Sequence, residues 1–235
     1  MFLIIGHRGA SGYEPENTLL SFKKAIELKA DMIELDVYTC RTGQLVVIHD
    51  FTVNRTTNGK GYVEDMTFEE LRTLDAGKGE KIPTLGETLD LINKKCKVNI
   101  ELKGEGTPVP VFIQIEKYVN EKGWSWDDFY ISSFNHYLLS EFISLMPEDN
   151  GIKICPLICG IPLGFAKFGE ELNAYSINLS SEFINGYFID DAHRRGMKVF
   201  VYTVNDVNDL LLVKKLGADG VFTNYPDINQ IRNNL

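Results

Sequence analysis

The hydrophobic residues of the chain fall into nine short runs separated by polar or glycine-containing segments. Their length and their content of Val, Ile and Phe are typical of β-strands. A run recurs about every 20–35 residues, with helical patterns between, which favours βα units and a parallel sheet. The predicted strands are Leu3–His7, Met32–Tyr38, Leu45–His49, Lys97–Lys103, Phe129–Phe134, Lys153–Ile158, Ala174–Leu179, Lys198–Val204 and Gly220–Thr223.

Two of the helical patterns have clear ends. Thr18–Leu28 is predicted to be a helix with Asn17 or Thr18 as its N-cap, since both side chains can accept a backbone hydrogen bond. Asp206–Leu216 is predicted to begin at an aspartate cap and to end at Gly217.

The third predicted strand cannot be a parallel member of the sheet. Only six residues separate Tyr38 from Leu45, and a parallel crossover needs a dozen or more. We therefore expect an antiparallel hairpin that turns near Thr42, which leaves eight parallel strands. A turn centred between Thr42 and Gly43 would place His49 opposite Asp36, on one face of the hairpin. The predicted fold is a (β/α)8 TIM barrel of the α/β class, with a β-hairpin after strand 2 and a single domain over residues 1–235.

Residues 51–81 form a polar, glycine-rich excursion that is long for an ordinary connection. We predict a small insertion, either a functional one over the barrel mouth or a partly helical cap. Within it, Thr67–Leu74 has the pattern of a short helix, with Thr67 and Glu70 as a capping box.

Composition and charge exclude several classes of function. A net charge of −9 argues against nucleic acid as a partner and against binding to anionic membranes. There is no run of 18 apolar residues, so no stable membrane insertion is expected. The apolar N-terminus is too short for a secretory signal, which predicts a cytoplasmic location. The cysteines at 40, 96, 155 and 159 have no metal-binding spacing and are interpreted as reduced thiols.

Polar residues at the carboxyl ends of the predicted strands carry the candidate chemistry. In a parallel barrel these ends meet at one mouth, where packing alone would favour Val, Ile or Leu. Glu34 and Asp36 are two residues apart, as are Glu101 and Lys103, so each pair lies on one face of its strand. The complete set is His7, Arg8, Glu34, Asp36, His49, Asp50, Glu101 and Lys103.

Three carboxylates at one mouth would repel each other unless a cation neutralised them. We expect one divalent metal ion on Glu34, Asp36 and Glu101. Mg²⁺ or Ca²⁺ suits these oxygen ligands, Mn²⁺ is a further candidate, and Zn²⁺ suits them less. The predicted phosphate ligands are Arg8 and Lys103.

The two histidines of this mouth, His7 and His49, are the candidate general acid and base, with either assignment open. His136 and His193 lie on predicted helices and are interpreted as surface residues.

The motifs of the chain resemble those of the glycerophosphodiester phosphodiesterase family, within the phospholipase C-like superfamily. The resemblance covers essentially the whole sequence. The motifs are His7-Arg8-Gly9, Pro15-Glu16-Asn17-Thr18, Glu34-Leu-Asp36-Val, Val46-Val-Ile-His49-Asp50, Arg55-Thr-Thr-Asn-Gly59-Lys-Gly61, Leu74-Asp-Ala-Gly77, Ile82-Pro-Thr-Leu85, Ile100-Glu-Leu-Lys103, Ser132-Ser-Phe-Asn135, Tyr202-Thr-Val-Asn205 and Thr223-Asn-Tyr-Pro-Asp227.

This resemblance implies hydrolysis of a glycerophosphodiester to sn-glycerol 3-phosphate and an alcohol. It implies catalytic His7 and His49, a metal on the three carboxylates, and the glycerol 2-hydroxyl as nucleophile. The expected partner is the small-molecule glycerophosphodiester substrate.

The chain departs from the family pattern in four places. Cys40 and Thr42 stand in the hairpin turn where Thr and Asp are usual. Tyr202 stands where Trp is frequent, at the expected wall for the alcohol, and Asn224 replaces a common Asp.

Two alternatives to this function stay open. The apolar stretch Ile154–Phe168 could hold an acyl chain, which would make the substrate a lysophospholipid. The same stretch could instead pack on the barrel or form a homodimer contact. A non-catalytic phosphate-binding barrel is the second alternative, and it should have lost one of the histidines or carboxylates, all of which are present.

Overall fold

The computed structural model describes residues 1–148 and 150–228. Within them, eight parallel strands form a closed barrel, because β1 pairs with both β2 and β9. The ninth strand, β3, is antiparallel to β2 and lies outside the ring. The strands are β1 (Leu3–Gly6), β2 (Met32–Thr39), β3 (Leu45–Val47), β4 (Lys97–Leu102), β5 (Phe129–Ser133), β6 (Lys153–Ile158), β7 (Ser176–Ser180), β8 (Lys198–Tyr202) and β9 (Gly220–Thr223).

Helices pack around this ring and complete the predicted (β/α)8 barrel. Most connect one parallel strand to the next, and short 3-10 turns precede several elements. The α-helices are α1 (Leu19–Glu27), α2 (Phe68–Thr73), α3 (Leu85–Ile92), α4 (Pro108–Lys122), α5 (His136–Leu145), α6 (Phe168–Glu171), α7 (Gly186–Arg194) and α8 (Val207–Leu216).

The predicted helix ends are confirmed. The Thr18 hydroxyl accepts a hydrogen bond from the Ser21 amide and caps α1. Asp206 caps α8, which ends at Gly217 with φ at 99°. Thr67 and Glu70 form the reciprocal capping box of α2.

The hairpin of β2 and β3 is confirmed, but its predicted register is wrong by one residue. Val37 pairs with Val47, and Cys40 donates its amide to the Gln44 carbonyl at 3.0 Å. The loop therefore contains three residues, the last being Gly43 with φ at 86°. Such a loop is centred on Thr42 rather than between Thr42 and Gly43, which shifts every pair by one.

The insertion predicted over residues 51–81 packs on the face of this hairpin that carries Tyr38 and Val46. Its side chains Val53, Val63 and Leu71 are fully buried against Val46 and Ile48. The polar, glycine-rich segment thus has an apolar anchor, which holds it beside the barrel mouth.

A layer of large side chains closes the inside of the barrel below the mouth. Its members are Ile5, Met32, Tyr130, Cys155, Phe200 and Phe222, all buried. Several of the next inward positions toward the carboxyl ends are polar, including Glu34 on β2 and Ser132 on β5, whereas Leu157 on β6 is apolar. The barrel thus has a packed floor below a polar upper layer.

In the described part of the chain, no helix has both the length and the apolar character needed to cross a bilayer.

Candidate active site

The mouth at the carboxyl ends of the strands contains a cavity with a volume of about 260 Å³. Its lining combines a polar part with an aromatic part. The lining residues are His7, Arg8, Glu34, His49, Glu101, Ser132, Phe134, Leu157, Tyr202, Thr203 and Phe222. Asp36 and Lys103 lie beside this set, in contact with its members.

Three buried carboxylates form the centre of the polar side. Asp36 on β2 is paired in register with Glu101 on β4, and Glu34 lies two residues earlier on the same face. One oxygen of each lies within 4.8 Å of the other two. Asp36 Oδ1 is buried and has no hydrogen-bond partner among the described residues.

Burial and mutual repulsion disfavour the charged form of this trio. Burial raises the pKa of Glu101 to about 7, and the charge of Asp36 acts in the same direction. Burial likewise raises the pKa of Glu34, with further increases from Asp36 and Glu101. Close, dehydrated oxygens with one unsatisfied acceptor fit a hard divalent cation. The expected ligand set therefore has suitable chemistry.

Lys103 lies on the same face of its chain segment as Glu101. Its ammonium donates to Glu101 Oε1 at 2.8 Å and is 3.8 Å from Asp36 Oδ1. It also approaches His49 Nε2 at 3.3 Å. Lys103 thus links the carboxylate trio to one of the two histidines.

Arg8 is held in an unusual backbone conformation directly after His7. Its φ is 53°, in the left-handed region that is costly for a residue with a side chain. The Arg8 amide donates to Glu34 Oε2 at 2.7 Å, and its carbonyl accepts from the Ser21 hydroxyl at 2.8 Å. These bonds offset the strain. They turn the guanidinium toward Glu16, at 2.7 Å, and Asp36, at 3.5 Å.

His7 is positioned by an amide side chain. Its Nδ1 is 2.8 Å from Asn224 Oδ1, so Nδ1 donates and Nε2 is left as an acceptor. Burial, followed by the charge of Arg8, lowers the pKa of His7 to about 4. The imidazole is therefore neutral near pH 7.

His49 reaches the mouth although its predicted pairing is wrong. β3 ends at Val47, and the Ile48 amide donates to the Asp36 carbonyl at 3.1 Å. Beyond this bond the chain leaves the ladder, so strand alternation no longer decides where His49 points. Its Nδ1 lies 2.6 Å from Asp50 Oδ1.

The aromatic side of the cavity is formed mainly by Phe134 and Tyr202. Their rings meet edge to face, with centroids 5.7 Å apart. The Tyr202 hydroxyl donates to the Ile158 carbonyl at 2.8 Å, so this residue presents its ring rather than a free polar group. Tyr202, which is expected to form the wall for the alcohol, therefore lies in the cavity lining beside Phe134.

Several residues that contact the site do not lie at the end of a predicted strand. Asn17 donates to Asp36 Oδ2 at 2.8 Å, and Glu16 binds Arg8. Asn224 contacts His7 from the segment after β9. Motif resemblance could have found these residues, because each lies inside a recognised motif. Periodicity could not, since all three are in loops.

The remaining histidines lie away from the cavity. His193 is exposed and its Nε2 is 2.8 Å from Asp219 Oδ2. His136 is half-buried on the outside of the barrel, where it stacks on Phe168 and hydrogen-bonds the Leu157 carbonyl. Both are on helices, as predicted.

Comparison with known proteins identifies relatives over the whole barrel. The sequence profile of the glycerophosphoryl diester phosphodiesterase family matches residues 7–228. A glycerophosphodiester phosphodiesterase of Caldanaerobacter subterraneus is 39% identical over 246 residues, covering 98% of both chains.

Solved structures match equally well. A phosphodiesterase of Oleispira antarctica, in complex with the product sn-glycerol-3-phosphate, is 32% identical with a TM-score of 0.88. It covers 99% of this chain and 97% of its own. The glycerophosphodiester phosphodiesterase of Agrobacterium tumefaciens is 29% identical with a TM-score of 0.80, covering 97% and 98%.

Proposed function

The chain belongs to the glycerophosphoryl diester phosphodiesterase family, and we propose that it hydrolyses glycerophosphodiesters to sn-glycerol 3-phosphate and a free alcohol. The observation that carries this proposal is the convergence of two histidines, three buried carboxylates and two cations on one small cavity. The product bound to the Oleispira antarctica relative supports the same substrate class.

Glu34, Asp36 and Glu101 would hold one divalent ion, with Mg²⁺, Ca²⁺ and Mn²⁺ as candidates. When bound, such an ion neutralises the carboxylates and stabilises negative charge on the phosphoryl oxygens. Arg8 lines the cavity and offers its guanidinium to the same oxygens. Lys103 adds a point charge between Glu101 and His49.

The environments of the histidines favour different roles. His7 is neutral and faces a neutral amide, which suits a general base that removes the proton of the attacking hydroxyl. His49 donates its Nδ1 hydrogen to the Asp50 carboxylate, which fixes the orientation of the ring, and its Nε2 would protonate the leaving alkoxide. We propose the glycerol 2-hydroxyl as nucleophile, so that a cyclic phosphate forms first and water then opens it.

Phe134 and Tyr202 limit what the site accepts. Their rings form an apolar wall for the alcohol or the glycerol carbons, and the Lys103 ammonium lies 5.8 Å from the centroid of the Phe134 ring. The lysophospholipid alternative depends on the segment after β6, where Ile161 and Leu163 are exposed. Burying acyl methylenes there would stabilise a lysolipid complex by about 0.8 kcal/mol each.

A substrate panel tests the proposal. Glycerophosphocholine, glycerophosphoethanolamine, their 2-deoxy analogues and a lysophospholipid would be compared at equal concentration, with product release as the readout. Each would be tested with Mg²⁺, Ca²⁺ or Mn²⁺ and with chelator. We expect the two small diesters to react and the 2-deoxy analogues to bind without turnover. Preference for the lysolipid by orders of magnitude would reject the small-substrate proposal. Reaction of a 2-deoxy analogue would reject the cyclic intermediate, and failure of all diesters would reject the activity.

A further inference from the structure

One arginine of the insertion connects the two sides of the mouth. Arg55 donates to Asp50 through Nε and Nη2, at 2.7 and 2.9 Å. It donates to Glu16 through Nη1 and Nη2, at 2.7 and 2.8 Å. Four of the five guanidinium hydrogens are therefore used on two carboxylates.

Each of these carboxylates holds a residue of the proposed reaction. Asp50 Oδ1 accepts from His49 Nδ1 at 2.6 Å, and Glu16 Oε1 accepts from Arg8 Nη1 at 2.7 Å. A continuous chain of hydrogen-bonded groups thus joins the imidazole to the phosphate-binding guanidinium, and Arg55 is its middle member.

We propose that Arg55 is a positioning residue that fixes His49 relative to Arg8 through Asp50 and Glu16. The proposal rests on the activity proposed above. Fork-shaped pairing restricts the orientation of both carboxylates, which a single contact would not do. Each carboxylate in turn restricts the side chain that it binds, as outer partners orient catalytic groups in other enzymes.

A direct phosphate contact is a poorer explanation of Arg55. Its charge is already paired with two carboxylates, and Asp50 and Glu16 are ionised. Although burial raises the pKa of Glu16, hydrogen bonds from Arg55 and the charge of Arg8 lower it to about 2. Arg55 is also absent from the residues that line the cavity.

A purely structural role is also a poorer explanation. The Arg55 side chain is 46% exposed, and exposed ion pairs contribute little to stability. The insertion is anchored instead by the buried Val53, Val63 and Leu71. Replacing Arg55 should therefore leave the fold intact.

The test compares Arg55→Ala and Arg55→Lys with Arg41→Ala. Arg41 is a matched control, because it is 55% exposed and pairs with Glu70, away from the cavity. On a small glycerophosphodiester, Arg55→Ala should lower kcat about 10–100-fold, with KM within about threefold. Arg55→Lys should recover only part of the loss, since an ammonium cannot form both forks. Arg41→Ala should match the wild type. Equal kcat in Arg55→Ala and Arg41→Ala would overturn the proposal.

A double variant tests whether Arg55 acts through His49. If it does, Arg55→Ala should reduce kcat much less in a His49→Ala background than in the wild type. If Arg55→Ala reduces kcat as much in the His49→Ala protein as in the wild type, then Arg55 does not act through His49.

Imidazole ¹⁵N NMR tests the positioning without activity, so it distinguishes failure of this proposal from failure of the proposed function. In the wild type His49 should be fixed with hydrogen on Nδ1. In Arg55→Ala a mixture of tautomers should appear, whereas Arg41→Ala should leave the signal unchanged. An unchanged His49 signal in Arg55→Ala would overturn the proposal whatever the substrate proves to be.

Discussion

The partner of His7 is predicted to set the pH range in which the protein works. Asn224 offers a neutral oxygen to His7 Nδ1 at 2.8 Å, and burial lowers the pKa of the imidazole to about 4. Replacing Asn224 with Asp would place a negative charge at the same distance. A carboxylate so close favours the imidazolium and raises the pKa of a partner by roughly 1–3 pH units. The pKa of His7 should therefore rise into the range of about 5–7.

The sign of the effect on activity follows from the proposed role of His7. A general base must be neutral, so activity falls as the pH drops below its pKa. Asn224→Asp should move this acid limb to higher pH by about 1–3 units and leave activity above pH 8 less affected. A divalent ion in the site repels the imidazolium in both proteins, so the difference between them should persist.

The assay is the pH dependence of kcat/KM, which reports ionisations of the free enzyme. Asn205→Asp is the control, since the Asn205 side chain binds the Asn224 amide rather than His7. The carboxylate introduced at position 205 would lie one contact further from His7. It should therefore move the acid limb of the pH profile much less. An acid limb that does not move in Asn224→Asp, or that moves equally in both variants, would refute the assignment of His7 as base.

Three further predictions concern the second histidine, the metal and the core. His49→Ala should lower kcat about 10²–10⁴-fold with an unchanged far-UV spectrum, and near-normal turnover would contradict its role as acid. Glu101→Ala should weaken Mn²⁺ binding measured by calorimetry, because it removes one of three clustered oxygens; unchanged affinity would place the ion elsewhere. Phe22→Ala should lower the free energy of unfolding in urea by about 3–5 kcal/mol, since Phe22 is fully buried. The exposed Leu212→Ala should change it by less than about 0.5 kcal/mol, and equal losses would contradict the core assignment.

The sequence predicts well the parts of the fold that depend on the spacing of apolar residues and on the length of the connections. Strands buried within a parallel barrel must be short apolar runs, and the six-residue link after Tyr38 excluded a parallel β3. The hairpin register was not predictable in this way. It depends on whether Gly43 ends a three-residue loop, and both loop lengths satisfy the same apolar pattern.

The residues of the candidate site likewise fall into those that the sequence predicts and those that it does not. Glu34, Asp36 and Glu101 interrupt the apolar pattern of two neighbouring strands, so their convergence follows from topology. Glu16, Arg55 and Asn224 are in loops, where side-chain direction depends on tertiary contacts rather than on a repeat. The prediction for His49 shows the limit clearly. His49 lines the cavity, but the predicted pairing with Asp36 is not the cause. The chain leaves the β2–β3 ladder after Ile48, and the path of the chain beyond that point directs the side chain.

The charges of the mouth bear on how so acidic a centre would bind the anionic substrate proposed above. Five carboxylates lie in the connected network, on Glu16, Glu34, Asp36, Asp50 and Glu101, against the three cations Arg8, Arg55 and Lys103. With every group ionised the network carries two negative charges, which is the charge that one divalent ion neutralises. Binding of such an ion would displace protons from Glu34 and Glu101, whose pKa values burial raises. A phosphodiester monoanion would meet a neutral network in which Arg8 and the ion are its nearest positive groups. The ion would thus replace the protons that reduce the charge of the acidic trio, and it would place a positive group beside the phosphate.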